Sequence, residues 1–314
     1  LKKFIKRLFW HLAKRFIAGS SMSRALKTAR KCNRRYLGAS IDVLGEECRT
    51  REDTQKAFEK YKKLIVAIFN RHVGGSLKNT GISIKLSHFG LRFNKIYCEE
   101  TVREIVRSAN ARSIFVWIDM ESKLYFRHIL DIAVKLRQDY PNVGVAFQAY
   151  RRDALRMLPS LIESRIAVRL CKGAYRESAV IIFKKKSEIR KNFMLIAEEI
   201  LKTGKNHLAV ATHDKFLINQ CQILAKNLKI PAAELEFQML LGIEYELHWL
   251  RNLGFQATVY VPFGKNWFPY ILRRLYEKPL KTLFMLIQSF SRNNGRKKEK
   301  GFLAKLFSHE HHHH

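Results

Sequence analysis

The sequence predicts a TIM-type (β/α)8 barrel, distorted at its ends, with helices before the first strand and a final helix that carries arginines. Three observations predict it. Short runs rich in β-branched residues occur eight times, at residues 39–44, 81–86, 113–118, 143–147, 166–170, 208–211, 235–239 and 255–261. Stretches of helical length and apolar period lie between them, such as residues 53–69, 124–140 and 189–201, and that alternation argues for parallel strands joined by crossover helices. Ionisable and amide groups also stand at nearly every strand end, as a barrel with one shared mouth requires. A doubly wound open sheet shares the first two features; the third favours the barrel.

Length and composition set the bounds. The 314 residues are 47% hydrophobic, with only 6 Pro and 15 Gly, so the chain is globular and can bury a large core. A formal charge of +32 favours anionic partners, whether nucleic acid, acidic lipid or phosphate-bearing ligands. The charge is concentrated at the ends. No acidic residue precedes Asp42, and the tail carries Arg292, Arg296, Lys297, Lys298, Lys300 and Lys305. Five widely spaced cysteines without a CxxC pair indicate neither a disulfide framework nor a zinc site, and imply a reducing compartment. No apolar run is long and charge-free enough to span a bilayer, and the basic N-terminus lacks a signal-peptide core. His311 to His314 read as part of an expression-tag remnant at residues 309–314, with no bearing on metal binding.

Taken in order, residues 1–36 form basic amphipathic helices. Leu1, Phe4, Ile5, Leu8, Phe9, Leu12, Phe16 and Ile17 keep helical spacing among lysines and arginines until Gly19 and Ser20 break it. Such a helix lies on an anionic membrane surface or packs on the body of the protein, and the composition suits both. A second helix covers residues 23–35, the barrel residues 37–280, and a basic helix or tail residues 281–308. The strand ends present Asp42 and Glu46, Lys85, Asp119, Gln148, Arg169 and Lys172, Thr212 and His213, Gln238, and Tyr260. Asp42 and Glu46 suit caps or bridges at the rim, and Cys171 a small buried hydrophobe.

After the last strand, a Pro/Gly turn leads into a helix with Pro269 in its first turn. Tyr270, Arg273, Arg274 and Glu277 fall on one stripe of that helix, with Phe268, Ile271, Leu272 and Leu275 opposite. Two guanidinium forks beside an aromatic suit a carboxylate, which each can bond in bidentate fashion. The plainer alternative is a solvated face with an Arg273–Glu277 surface pair.

The string Tyr260, Pro262, Gly264, Trp267, Tyr270, Arg273, Arg274 and Glu277 closely resembles the C-terminal signature of the proline dehydrogenases. Residues 42–46, 83–87, 118–121, 148–150, 169–175, 211–214 and 236–240 look like that family's strand-end motifs, in its order. The last motif's spacing resembles the stand-alone enzymes rather than the proline-utilisation fusions, so no aldehyde dehydrogenase domain is expected.

The resemblance implies oxidation of L-proline to Δ1-pyrroline-5-carboxylate, with hydride passing to N5 of a non-covalent FAD, or FMN, and electrons to a membrane quinone. It implies a cytoplasmic protein held peripherally at the inner membrane. Arg273, Arg274 and Lys85 would bind the proline carboxylate, oriented by Asp119 and Glu277. Ala174, Leu240, Tyr260 and Tyr270 would wall the ring methylenes. Arg169, Lys85, Asp119 and Tyr260 would be the catalytic set. Gln148, Arg169, Lys172, Gly173, Ala174, Tyr175, Thr212, His213 and Glu277 would contact the cofactor. Arg176, where some relatives place an aromatic, and Lys278, Pro279, Leu280 and Lys281 depart from the pattern and bear on FAD against FMN. The competing function is a non-catalytic basic barrel that binds nucleic acid or anionic lipid. Charge alone would favour it, but the proline-site residues are intact and no nucleic-acid-binding motif is present.

Overall fold

The structure, a computed structural model, describes residues 13–45, 47–75 and 77–277, and side chains up to residue 272. Eight parallel strands close into a barrel in sequence order. They are β1 Gly38–Val43, β2 Thr80–Ile84, β3 Val116–Ile118, β4 Val143–Gln148, β5 Ala167–Cys171, β6 Leu208–Ala211, β7 Leu235–Leu240 and β8 Gln256–Phe263. The helices are α1 Met22–Arg34, α2 Arg51–Val73, α3 Lys95–Asn110, α4 Phe126–Asp139, α5 Ala154–Glu163, α6 Lys186–Thr203, α7 Lys215–Asn227, α8 Leu247–Asn252 and α9 Phe268–Glu277. Among the described residues no helix is long and apolar enough to cross a membrane.

Strand periodicity explains the core. Ile41, Val43, Ile82, Ile84, Val145, Phe147, Val168, Leu170, Val210, Phe237, Val259 and Val261 join one cluster with the apolar sides of the helices. The alternate residues, Ser40, Asp42, Ser83, Trp117, Arg169, Glu236, Gln238 and Tyr260, belong to the other strand face, which a closed barrel turns inward. Trp117 fits because Gly144 leaves room: a Cβ there would come within 2.5 Å of the indole. Helix starts follow local chemistry. The side chains of Thr50, Asn94 and Asp214 accept hydrogen bonds from the backbone N–H groups of Asp53, Tyr97 and Phe216.

The ends are where the barrel departs from regularity. α1 lies against β1 and β8 through Ala25, Leu26, Ala29 and Cys32, the flank a helix after β8 would ordinarily cover. α9 instead clusters with Ala13, Phe16, Ile17 and Leu44 through Tyr270 and Ile271. Gly264, at φ +143°, allows this turn; a Cβ there would meet the Leu44 carbonyl oxygen at 2.8 Å. The described part of the N-terminal apolar stripe, Phe16 and Ile17, is therefore buried in the protein. Residues 1–12, Glu46, the side chains of Arg273, Arg274 and Glu277, residues 278–281, the basic tail and the tag remnant lie outside the described set.

β3 is shorter than the run 113–118 suggests. The N–H groups of Ser113 and Ile114 bond the carbonyls of Asn110 and Ala109, and Ser113 sits at φ 54°, so these residues finish α3 instead of joining the sheet.

Candidate active site

The strand ends of β1, β2, β3, β5 and β8 bring four predicted residues together around one ammonium. Lys85 Nζ donates to Asp42 Oδ1 at 2.8 Å, Asp119 Oδ2 at 2.9 Å and the Tyr260 hydroxyl at 3.2 Å. Tyr260 in turn donates to Asp119 Oδ2 at 2.7 Å. Arg169 donates to the other oxygen of Asp119 at 2.8 Å, and to Ser83 and Ser40 hydroxyls at 3.1 and 3.3 Å. Its guanidinium stacks 4.6 Å from the centre of the Trp117 ring. The period of two explains the assembly, since Ser40 with Asp42 and Ser83 with Lys85 share one face of their strands.

Burial makes the charges interdependent. At Asp119 burial opposes ionisation, but Lys85, Arg169 and the Tyr260 hydroxyl outweigh it and hold the carboxyl below its ordinary value. At Asp42 burial wins over Lys85, and the carboxyl is raised. Lys85 is pushed up, because the two carboxylates outweigh its own desolvation, so it stays an ammonium. Burial and the neighbouring carboxylates raise Tyr260 well above its usual value, which keeps it a neutral donor.

This knot is one wall of a cleft of about 540 Å³. Gln148, Lys172, Gly173, Ala174, Tyr175, Thr212, His213, Leu240 and Tyr270 all line it, as the strand-end reading expects. Gly173, at φ +112°, lies against Tyr150, whose ring a Cβ would approach to 2.4 Å. The segment after β5 is pinned across the cleft: Phe183 N–H donates to the Tyr150 carbonyl at 2.7 Å and Arg152 N–H to the Ile181 carbonyl at 3.0 Å. On this side Lys172 meets Asp214 at 3.4 Å, while Arg190 grips both oxygens of Asp214 at 2.6 and 3.0 Å. His213 Nε2 accepts from the Leu240 N–H at 3.3 Å, so one edge of its ring serves the sheet.

Several contributors escaped the sequence reading. Asp42, expected as a cap or rim bridge, is a fully buried partner of Lys85. Ser40 and Arg190 carried no signal beyond strand period and helix position, and Tyr150 stood out only as the end of the 148–150 motif. His88 packs its ring 3.1 Å from where a Gly45 Cβ would sit. Burial first, and then Lys85, push its imidazole down to about 3, so it is a neutral brace for the loop after β1.

The donor set can be compared with known proteins. The sequence profile of the proline dehydrogenases matches residues 25–285, which includes every strand and all the cleft residues above. The chain belongs to the proline dehydrogenase family. It is 35% identical over 288 residues to proline dehydrogenase 1 of Bacillus subtilis, covering 91% of this chain and 93% of that one. The proline dehydrogenase of Deinococcus radiodurans is 29% identical, with 91% and 92% covered. The crystal structure of proline utilization A from Bdellovibrio bacteriovorus, inactivated by N-propargylglycine, superposes with a TM-score of 0.81 at 25% identity. That match covers 87% of this chain and 33% of the other, so the chain spans about a third of the proline utilization A protein.

Proline dehydrogenases are flavin-dependent oxidoreductases, and the cleft fits a flavin. Gln148 offers an amide that can both donate and accept, as the alternating edge of an isoalloxazine requires. Arg169 has a buried Nε with no partner among the described residues, a donor aimed at no protein acceptor. Lys172, Lys184 and Lys186 supply positive charge for phosphate.

Proposed function

We propose that this chain oxidises L-proline to Δ1-pyrroline-5-carboxylate in the cleft between Lys85 and Gln148. The observation that carries the reading is Lys85, held at once by Asp42, Asp119 and Tyr260 at the wall of that cleft. A fixed ammonium is suited to one oxygen of a carboxylate, and rigid placement contributes rate through orientation. Helical spacing supports Arg273 and Arg274 as the other carboxylate ligands, since both follow Tyr270 on its own face of α9, with Glu277 one turn on to orient a fork. Tyr260, Leu240, Ala174 and Tyr270 then wall the ring methylenes. Asp119, kept ionised, orients Lys85 and Arg169 together. Neither Lys85 nor Tyr260 is suited to take the amine proton, since the ammonium is clamped and the phenol raised.

Gln148, Arg169, Lys172, Gly173, Ala174, Tyr175, Thr212, His213 and Glu277 would hold the flavin, which when bound supplies the hydride acceptor. FAD is favoured over FMN because the lining continues past Lys172 to Lys184, Lys186, Thr212 and His213, with positive charge and polar groups suited to a pyrophosphate and its nucleoside. Arg169 would stabilise negative charge near the flavin. A membrane quinone is the proposed acceptor. The protein is proposed to sit peripherally at the cytoplasmic face of the membrane, with the basic ends on anionic lipid.

The deciding experiment is spectroscopic. Purified protein should be yellow and bleach when L-proline is added without oxygen. Colourless protein that neither FAD nor FMN reconstitutes would favour the non-catalytic basic barrel. Replacing Arg273 or Arg274 by Met should raise KM for proline some ten- to hundredfold with flavin content kept, since a charge-assisted contact contributes about 1.5–3 kcal/mol. Unchanged kinetics would remove those arginines from the site.

A further inference from the structure

A second cavity lies at the opposite pole. It has a volume of about 650 Å³ and is lined by Arg30, Arg34, Tyr36, Lys78 and Arg251, with Asn33 and Asn79 at its base. These residues come from three separate places: the end of α1, the turn before β2, and the end of α8. All precede strands, so the cavity is on the N-terminal face of the barrel, away from Lys85 and the cleft.

Three features distinguish it from an ordinary basic surface. None of Arg30, Arg34, Lys78 and Arg251 has a carboxylate within ion-pair distance among the described residues, so the four charges line one concavity without a neutralising partner on the protein. The C-terminal ends of α1 and α8 account for Arg34 and Arg251, each in the last turn of its helix, but not for Lys78, which lies on a loop. Like charges gathered on one concavity repel each other, and a bound anion removes that repulsion.

The second feature is Tyr36. It takes φ 60°, in the left-handed position that ends α1, where its N–H and that of Leu37 bond the carbonyls of Asn33 and Cys32. Glycine fills that position without steric strain. A tyrosine stands there instead, 72% exposed, with the Arg251 guanidinium 4.4 Å from its ring centre. Neither burial nor backbone preference explains the ring.

The third is rigidity. Asn33 Nδ2 donates to the carbonyls of Leu37 and Asn79, both at 3.0 Å, and its Oδ1 accepts from Asn79 N–H and the Thr80 hydroxyl. The base of the cavity is thus fixed between α1 and β2, and the cations are carried on a firm frame.

We propose that this cavity binds a nucleoside phosphate, with the phosphates on Arg30, Arg34 and Lys78 and the planar base stacked on the Tyr36–Arg251 pair. The chemistry requires both halves, polyvalent anion and aromatic plane. The site is separate from the proline cleft, so the proposal does not rest on the catalytic reading.

The test uses flavin-saturated protein, so that the cleft cannot take up a nucleotide, and calorimetric titration with ATP, AMP and inorganic pyrophosphate. ATP should bind more tightly than pyrophosphate. Tyr36→Gly, which also relieves the strained position, should weaken ATP about fivefold and leave pyrophosphate unchanged. Arg34→Met with Arg251→Met should weaken both by about tenfold or more. Proline oxidation without nucleotide should be unaffected in every variant. Absence of ATP binding, or binding that these variants do not alter, overturns the proposal. Equal affinity for ATP and pyrophosphate overturns the nucleotide assignment, because the base would then contribute nothing.

Discussion

Lys85 and Lys172 each follow a parallel strand of the same barrel and each meets a carboxylate, yet their surroundings differ. Lys85 lies 2.8 and 2.9 Å from Asp42 and Asp119, and no side chain of that trio is more than 14% exposed. Lys172 lies 3.4 Å from Asp214 and is 32% exposed, and Arg190, the other partner of Asp214, is 28% exposed. The first cluster is the more shielded from solvent, so removing one charge strands the others. The second is the more exposed, so water can replace what is removed. A shielded knot suits fixing a small substrate in one pose; a more exposed rim suits holding the outer parts of a larger cofactor.

The comparison breaks first at Lys85. Lys85→Met should cost about 3–5 kcal/mol of stability, because it leaves Asp42 and Asp119 facing each other in a buried site. Urea unfolding measures it, and adding Asp42→Asn to that variant should restore part of the loss. A cost below about 1 kcal/mol would mean that the knot is hydrated after all. Asp119→Asn comes next. Asp119 bonds Lys85, Arg169 and Tyr260, so kcat/KM for proline should fall roughly ten- to hundredfold, whereas Asp42→Asn should cost only a few-fold. Equal losses would dissolve the distinction between the two carboxylates.

Arg169→Met sharpens the comparison differently. It touches the knot through Asp119 and lines the cleft where the flavin is proposed to bind, so the flavin potential and kcat should fall while KM for proline changes modestly. An unaltered potential would withdraw Arg169 from the flavin.

The smallest effect belongs to Asp214. Burial opposes its ionisation, but Arg190 and Lys172 prevail and hold it at about 2. Its unfolded value is about 3.9, so its stabilisation is present above roughly pH 4 and is lost as pH falls towards the folded value. The difference in Tm between the parent and Asp214→Asn should therefore narrow from pH 6 to pH 2. A constant difference would show that Asp214 contributes through packing or its helix cap instead of its charge.

The barrel was legible because its rule is repetitive: eight β-branched runs, each ending in a chemical group. The strand ends of Lys85, Asp119, Gln148, Arg169 and Tyr260 were found the same way, since the barrel's closure brings any strand end to a common mouth. What the sequence concealed depends on shear and on neighbours. Asp42 reads as a rim residue until the register pairs it with Ser83, two residues before Lys85. Arg190 sits on α6, where nothing in the helical pattern separates it from other surface arginines. The placement of α1 against β8, with α9 turned elsewhere, follows from Gly264 and from burial of Phe16 and Ile17, neither of which a local pattern announces.

The central claim is that Lys85 and Asp119 act as one unit on proline. A double-mutant cycle tests it most directly: kcat/KM for L-proline in the parent, Lys85→Met, Asp119→Asn and the double variant, each with its flavin content measured. If the two act together, the double variant should be about as impaired as the worse single one, a coupling equal to the smaller single loss, about 1.4–2.7 kcal/mol for a ten- to hundredfold effect. If the two losses simply add, Lys85 and Asp119 serve the reaction independently, and the knot is not the device that holds the substrate.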